Sequence, residues 1–202
     1  MTETTGAQAG DPPRWEWRAF AASLAELEAK IGPAAQTPPH RSEEFYLANG
    51  RSPHNAKIRD ERLDMKRIKK TASSGVELWE ALPNLGFHLS APKIAAFYAA
   101  LDLPTPDLRR TAFSKDEFLT DVIGGDPSFR TFRVAKARRV FSLGGSRAEF
   151  TRLSIGGAKQ ESFCIEDENA ERVDAALRDL GLDPAANMNY PNFFKRLASL
   201  EG

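Results

Sequence analysis

A single cysteine, Cys164, stands in a chain of 202 residues. It leaves no intrachain disulfide framework and no cysteine-rich metal site. Histidine is nearly as scarce: His40, His54 and His88 lie far apart, without the spacing of metal ligands, and read as loop or strand-end residues. No apolar run approaches the roughly 20 residues of a membrane-spanning helix, and the opening MTETTGAQAGDPP has no apolar signal core. A cytoplasmic protein with no membrane partner is expected. An excess of either charge is also missing, since 28 Lys and Arg balance 28 Asp and Glu. Nucleic acid is therefore not an expected partner, because a general binder of that polyanion needs a positive field. Balance over the whole chain still allows a segregated cationic interior.

What is present is ordinary for a folded protein. A hydrophobic share of 41% and a charged share of 28% exclude global disorder. The length suits one domain with a real core. Residues 1–13 are small, polar and Pro-ended and are expected to form a disordered leader, with a single domain over 14–202. Trp15, Trp17 and Ala19 alternate with Arg14, Glu16 and Arg18, the period of a strand. AASLAELEAKIG follows at helical spacing and stops at Gly-Pro. The runs EEFYLA, AKIRD, RLDMKRIK and VELWEAL each fit a strand, punctuated by ANGRSPHN, TASSG and PNLG. APKIAAFYAALDL and SKDEFLTDVI read as helices.

A second β block follows, FRTFRVAKARRVFSL, RAEFTRLSI and ESFCIE, joined at Gly144-Gly145 and Gly156-Gly157. Those glycine pairs lack the strand-to-helix context of a phosphate loop and read as hairpin turns. Asp167 is expected to cap an amphipathic helix over ENAERVDAALRDLGL, and FFKRLASL to form a last one. About eight strands joined mostly by hairpins, with helices outside, predict a mostly β (α+β) fold: an eight-stranded antiparallel barrel with flanking helices.

Strand alternation then sorts the charges. Lys57 shares a face with Arg59, Asp64 with Lys66, Lys136 with Arg138, Glu149 with Thr151, and Cys164 with Glu166. On any one strand such a face is usually the wet side of a half-buried sheet. As a set, cation-x-cation pairs recur on separate strands whose other face is apolar enough for helices to cover. That places the charges inside the barrel, where unneutralised cations would call for a bound polyanion. Phosphate chains suit such a lining, since guanidinium and ammonium groups supply many charge-assisted donors.

In order and spacing these motifs resemble the CYTH, or triphosphate tunnel metalloenzyme, superfamily from about Trp15 to Lys195. Arg14-x-Glu16-x-Arg18 is similar to its first-strand Glu-x-Glu-x-Lys, Lys57-Ile58-Arg59 to its basic pair, and Leu63-Asp64-Met65-Lys66 to its Leu-Thr-x-Lys strand. Val76-Glu77-Leu78-Trp79-Glu80 resembles its acidic strand, and Lys136-Ala137-Arg138 its Lys-x-Arg strand. SFCIEDENAERVDAALRDLGL resembles the final strand and helix, and NYPNFFK the closing element.

The resemblance implies a tunnel that binds a triphosphate, a small phosphorylated molecule or polyphosphate through Arg14, Arg18, Lys57, Arg59, Lys66, Lys136, Arg138 and Lys195. It implies Mg²⁺ or Mn²⁺ held by Glu16, Glu149 and Glu166, and a metal-dependent hydrolysis in which Glu166, Glu16 and Lys66 take part. The pattern departs from the family at three places: Arg14 stands for its first Glu, Thr151 for an Asp, and Cys164 for the first Glu of the last pair. The losses fall on carboxylates and spare the cations, so a binding module for polyphosphate or a nucleotide is the alternative, and a protein-interaction scaffold a third. Cys164 reads as a small buried residue rather than a nucleophile, and Trp15, Trp17 and Trp79 as packing under helices. The basic run RVAKARR reads as strand lining.

Overall fold

A computed structural model of the protein describes residues 10–35 and 38–200. Residues 1–9 of the expected leader lie outside the described residues. The chain runs β1 (Arg14–Ala21), α1 (Ala25–Ile31), β2 (His40–Asn49), β3 (Asn55–Arg59), β4 (Arg62–Thr71), β5 (Glu77–Ala81), and the two-residue strands β6 (Leu85–Gly86) and β7 (Leu89–Ser90). Then come α2 (Ala91–Ala100), β8 (Ala112–Phe113), α3 (Lys115–Glu117) with a π-helical turn over Phe118–Ile123, β9 (Phe129–Leu143), β10 (Ser146–Ile155), β11 (Ala158–Asp167), α4 (Ala170–Leu180) and α5 (Tyr190–Leu200).

The sheet order β3-β2-β9-β10-β11-β1-β5-β4 returns to β3 through the β3–β4 pairing, so eight antiparallel strands close into a barrel. Closure removes the free edges that short, charged strands would otherwise expose. The expected mostly β barrel with flanking helices is the fold observed. Its tight turns are two-residue ones that need positive φ, supplied by Gly144-Gly145 (59° and 90°) and by Gly156-Gly157 (56° and 89°). The β3–β4 turn reaches the same geometry with Asp60 and Glu61, at φ 49° and 56°, which no glycine signals in the sequence.

Period-two alternation sends one face of each strand outward, where helices cover it. α2 and the π-helical turn pack Ile94, Phe97 and Phe118 on Leu47, Ile58, Leu63 and Met65. α4 packs Val173 and Leu177 on Trp17, Phe150, Phe163 and Ile165. Trp17 is 1% exposed, and its Nε1 donates to the Pro184 carbonyl at 3.1 Å, so its one polar atom is satisfied. α4 begins two residues later than expected: Asn169, not Asp167, caps it by accepting from Glu171 N at 2.8 Å. Asp167 instead accepts from Asn169 N, because β11 extends through Asp167. Gly181, at φ 64°, ends the helix as expected.

α5 differs from the other helices. Its Tyr190, Phe193 and Phe194 pack on Tyr46, Phe132, Val134 and Leu153, which share strand faces with the interior charges. Phe193 stacks on Phe20 at 3.9 Å between centroids, and Phe194 on Phe132 at 4.7 Å. The helix therefore fills one end of the barrel with aromatic rings, and the tunnel is a cup.

Candidate functional site

Above this aromatic floor the barrel holds a cavity of about 930 Å³ free of protein atoms, counting its opening. Its walls are the inward positions of all eight barrel strands. β1 supplies Glu16 and Arg18; β3, Asn55, Lys57 and Arg59; β4, Asp64 and Lys66; and β5, Glu77 and Trp79. β9 supplies Lys136 and Arg138, β10 Arg147 and Glu149, and β11 Glu166; Tyr46, Asn189 and Tyr190 complete the lower wall. The charged face points inward because the opposite faces carry the residues that α2 and α4 bury.

On one side the cations gather around Glu44, a β2 side chain with no solvent exposure. One of its oxygens, Oε2, bonds both Lys57 Nζ at 2.9 Å and Lys136 Nζ at 3.1 Å, and Arg138 stands 3.9 Å from the other. Lys136 also donates to Tyr46 Oη and lies 4.1 Å from the Tyr190 ring centre and 4.8 Å from that of Tyr46. Burial would push the Glu44 carboxyl up, yet Lys57, Lys136 and Arg138 hold it well below the usual carboxylate range. Burial brings Lys57 down to about 8, helped by Lys136 and Arg59 and opposed by Glu44. It brings Lys136 down to about 8 as well, against the attraction of Glu44 and Glu149. Arg59 pairs with Asp64 at 3.2 Å.

On the other side Glu77, Glu16, Glu166 and Arg147 occupy one register row across β5, β1, β11 and β10. Each carboxylate is turned to its own partner. Glu16 takes Lys66, Glu166 takes Arg147, and Glu77 accepts from Asn189 Nδ2 at 2.9 Å and Trp79 Nε1 at 3.1 Å. Glu149 accepts from Thr151 Oγ1 at 2.8 Å and lies 3.5 Å from both Arg18 and Arg147. Burial and then Glu16 push the Glu166 carboxyl up, against Lys66 and Arg147. Glu149 moves the other way: burial is overcome by Arg18, Arg147, Arg138 and Lys136, which hold it well below the usual range. Burial pushes Asp64 and Glu77 up.

The structure thus brings together Glu16, Arg18, Lys57, Arg59, Lys66, Lys136, Arg138, Glu149 and Glu166. Arg14 sits at the start of β1 opposite Trp79, with its Nε buried and without a hydrogen-bond partner, outside the cavity lining. Lys195 lies on α5 beyond the floor and donates to the Ser52 carbonyl at 2.8 Å. In the basic run, Arg133 and Arg139 point outward to Glu43 and Glu28, leaving Lys136 and Arg138 inside. Trp79, expected under a helix, faces the cavity, because it shares its strand face with Glu77. Cys164 is buried inside the barrel, and burial pushes its thiol well up, so it is inert. His54 is fixed structurally: Nε2 lies 2.9 Å from Asp102 Oδ2, and Nδ1 accepts from Ile68 N at 3.2 Å.

Several residues of the site escaped the sequence reading, among them Glu44 behind the lining and Arg147 and Asn189 within it. The first two were legible, since Glu44 alternates with Tyr46 and Arg147 with Glu149; Asn189 sits in a loop with no periodic signal. They correct the electrostatic argument. Inside stand seven cations, Arg18, Lys57, Arg59, Lys66, Lys136, Arg138 and Arg147. They face six carboxylates, the five in the lining together with Glu44, which bonds two of them. The interior neutralises most of its own charge, and no polyanion is required for the fold to stand.

The same pairing bears on a divalent metal. Hard cations bind several oxygens at once. Among the described residues, no three acidic, histidine or cysteine side chains converge in that way. Glu16, Glu149 and Glu166 are committed to Lys66, Arg18 and Arg147, and a metal would have to displace these cations. As arranged, the residues do not fit one. Among the described residues no helix is long and apolar enough to cross a membrane.

No protein-family model matches the chain, and no curated protein matches it. Among solved structures, one from Bacillus halodurans, named as an adenylate cyclase candidate, is similar over 90% of this chain and 95% of its own, at 12% identity and a TM-score of 0.46. A conserved protein of Pyrococcus furiosus is similar over 88% and 98%, at 13% identity and 0.48. A Hippeastrum protein, named as an adenylyl cyclase candidate with a dominant triphosphatase activity, is similar over 84% and 88%, at 16% identity and 0.40. Likenesses at these values assign no function.

Proposed function

We infer that the protein is a CYTH-type barrel that binds the end of a triphosphate, polyphosphate chain or similar phosphorylated anion. The observation that supports this reading is the cavity itself: seven Lys and Arg side chains from five strands face one enclosed space. Phosphate oxygens would replace carboxylates as partners of cations that are already desolvated and positioned. Charge-assisted bonds of that kind are short and roughly twice as strong as neutral ones. Lys57, Arg59, Lys136 and Arg138 form the most cationic part, with only Glu44 and Asp64 between them. The aromatic floor makes entry end-on, so the terminal phosphates are the part recognised.

The test is thermal denaturation with tripolyphosphate at low salt. At about 100 times its dissociation constant a ligand adds about 2.7 kcal/mol, which for a chain of this size is a rise of roughly 5–11 °C. No rise at millimolar tripolyphosphate would overturn the reading.

Hydrolysis of the bound triphosphate is a second reading, favoured by one observation. Glu166 is a buried carboxyl pushed up in pKa beside Glu16, and it faces the cavity, where it can take a proton from an attacking water. Phosphate release that is lost in Glu166→Gln would support it; release that persists in that variant would remove Glu166 from the chemistry.

A further inference from the structure

Two lysines sharing one carboxylate oxygen are an unusual way to line a pocket. Glu44 balances only one of them, and Arg138 adds a third positive group to the same carboxylate. Proximity to a second cation, together with removal from water, is what makes an amine nucleophilic.

The two are not equivalent. Lys136 is held as a cation by Glu44, by Tyr46 Oη and by the faces of two tyrosine rings, and its side chain is 3% exposed. Lys57 has Glu44 alone within bonding distance, its ring contact with Tyr46 is a distant 5.8 Å, and its side chain is 16% exposed toward the cavity. When one proton leaves the pair, it leaves Lys57.

We propose that Lys57 is a nucleophile that forms an imine with an aldehyde or ketone whose phosphate rests on Arg59 and Arg138. This rests on the anion-binding reading for its orientation and adds a covalent step to the same site. The Nζ lone pair of Lys57 attacks the carbonyl carbon, forming the C–N bond as the C–O π pair moves to oxygen. A proton passes from that nitrogen to the oxygen, giving a carbinolamine. The Lys136 ammonium then protonates the hydroxyl, which leaves as water while the nitrogen lone pair closes the C=N bond. The product is a protonated imine on Lys57 and a neutral Lys136, which regains its proton from water. No oxidant or reductant enters.

The charged and titratable groups facing Lys57 are Glu44 and Tyr46 on β2, Asp64 on β4, Arg59 on its own strand, and Lys136 and Arg138 on β9. Their net effect with burial brings Lys57 to about 8. At pH 8 such an amine is roughly half neutral, a roughly hundredfold larger free-amine fraction than that of an unperturbed lysine near 10.4.

The experiment treats the full chain with glycolaldehyde phosphate and sodium cyanoborohydride at pH 8 and maps the reduced adduct by peptide mass spectrometry. The expected result is an adduct on Lys57 in large excess over every exposed lysine, rising through pH 8 and slower with unphosphorylated glycolaldehyde. Lys57→Arg should lose it while Lys136→Met slows it. An adduct no more frequent at Lys57 than at exposed lysines, or one placed on Lys136, overturns the proposal. Tripolyphosphate in the same samples separates the two readings. Thermal stabilisation without Lys57 labelling sinks the imine alone, and labelling that tripolyphosphate neither slows nor accompanies with stabilisation sinks the anion reading alone. Because the wild-type map decides the matter, the outcome stands even where a variant fails to fold.

Discussion

Replacing Glu44 with glutamine tests the electrostatic reasoning at its most exposed point. The change keeps the shape of a fully buried side chain and removes one negative charge among Lys57, Lys136 and Arg138. Breaking a buried ion pair by neutralising one partner costs about 3–5 kcal/mol, because the remaining charge is left in a poor solvent. The lysines can shed protons instead, so the lower figure applies, and about 3 kcal/mol lowers the melting temperature of a chain this size by roughly 6–12 °C. The sign of the pH effect follows. In the folded protein both lysines sit at about 8, below an unfolded lysine. Between about 8 and 10.4 the unfolded state binds more protons, so stability from these groups rises with pH. Without Glu44 their folded values fall further, and the deficit of the variant should be largest near pH 6 and shrink toward pH 9. Tripolyphosphate should restore part of it by supplying the missing negative charge. Melting curves of wild type and E44Q at pH 6, 7.5 and 9 measure all of this. A variant within 1 °C of wild type at pH 6 would refute the role given to Glu44.

Other consequences are as specific. Tripolyphosphate affinity should strengthen as pH falls from 9 toward 7, because Lys57 and Lys136, at about 8, gain protons while Glu44 and Glu149 stay charged; calorimetric titration that finds it weaker at pH 7 than at pH 9 contradicts this. Phe194→Ala, which opens the aromatic floor, should cost about 3–5 kcal/mol in chemical denaturation, and a loss below 1 kcal/mol would mean that α5 is not needed to seal the barrel. Arg138→Ala should weaken tripolyphosphate binding and flatten its salt dependence, and binding unchanged in both respects would remove Arg138 from the contact set.

Much of the barrel was legible in the sequence because its strands obey one rule. Trp17, Ile58, Met65, Phe150 and Ile165 take the outward face, and the charges next to them in sequence take the other. Glycine pairs marked two hairpins. Periodicity did not carry across elements: nothing local could tell that α5 would enter the barrel rather than cover it, which put Lys195 beyond the floor instead of in the lining. Nor could the sequence show pairing. Glu44 lies thirteen residues from Lys57 and ninety-two from Lys136, and only the pairing of β2 with β3 on one side and β9 on the other places both lysines on one of its oxygens. A count of cations therefore overstated the need for a ligand.

The ring is fastened by β1 against β11, a pairing in which Trp15 meets Asp167 and Ala21 meets Glu161. That seam joins opposite ends of the described chain, whereas β3–β4 and β10–β11 are local hairpins. Loop-closure entropy grows with the logarithm of the span, about 0.6 kcal/mol for each doubling. The hairpins can therefore form early, but the last joint waits until distant segments meet. Folding dominated by such long-range pairs runs in milliseconds to seconds rather than microseconds. Until the seam closes, the charged faces remain in water, and the dry interior that shifts Lys57 and Lys136 does not yet exist. The reactivity of the cup is thus a property of the completed ring, absent from every partly zipped intermediate.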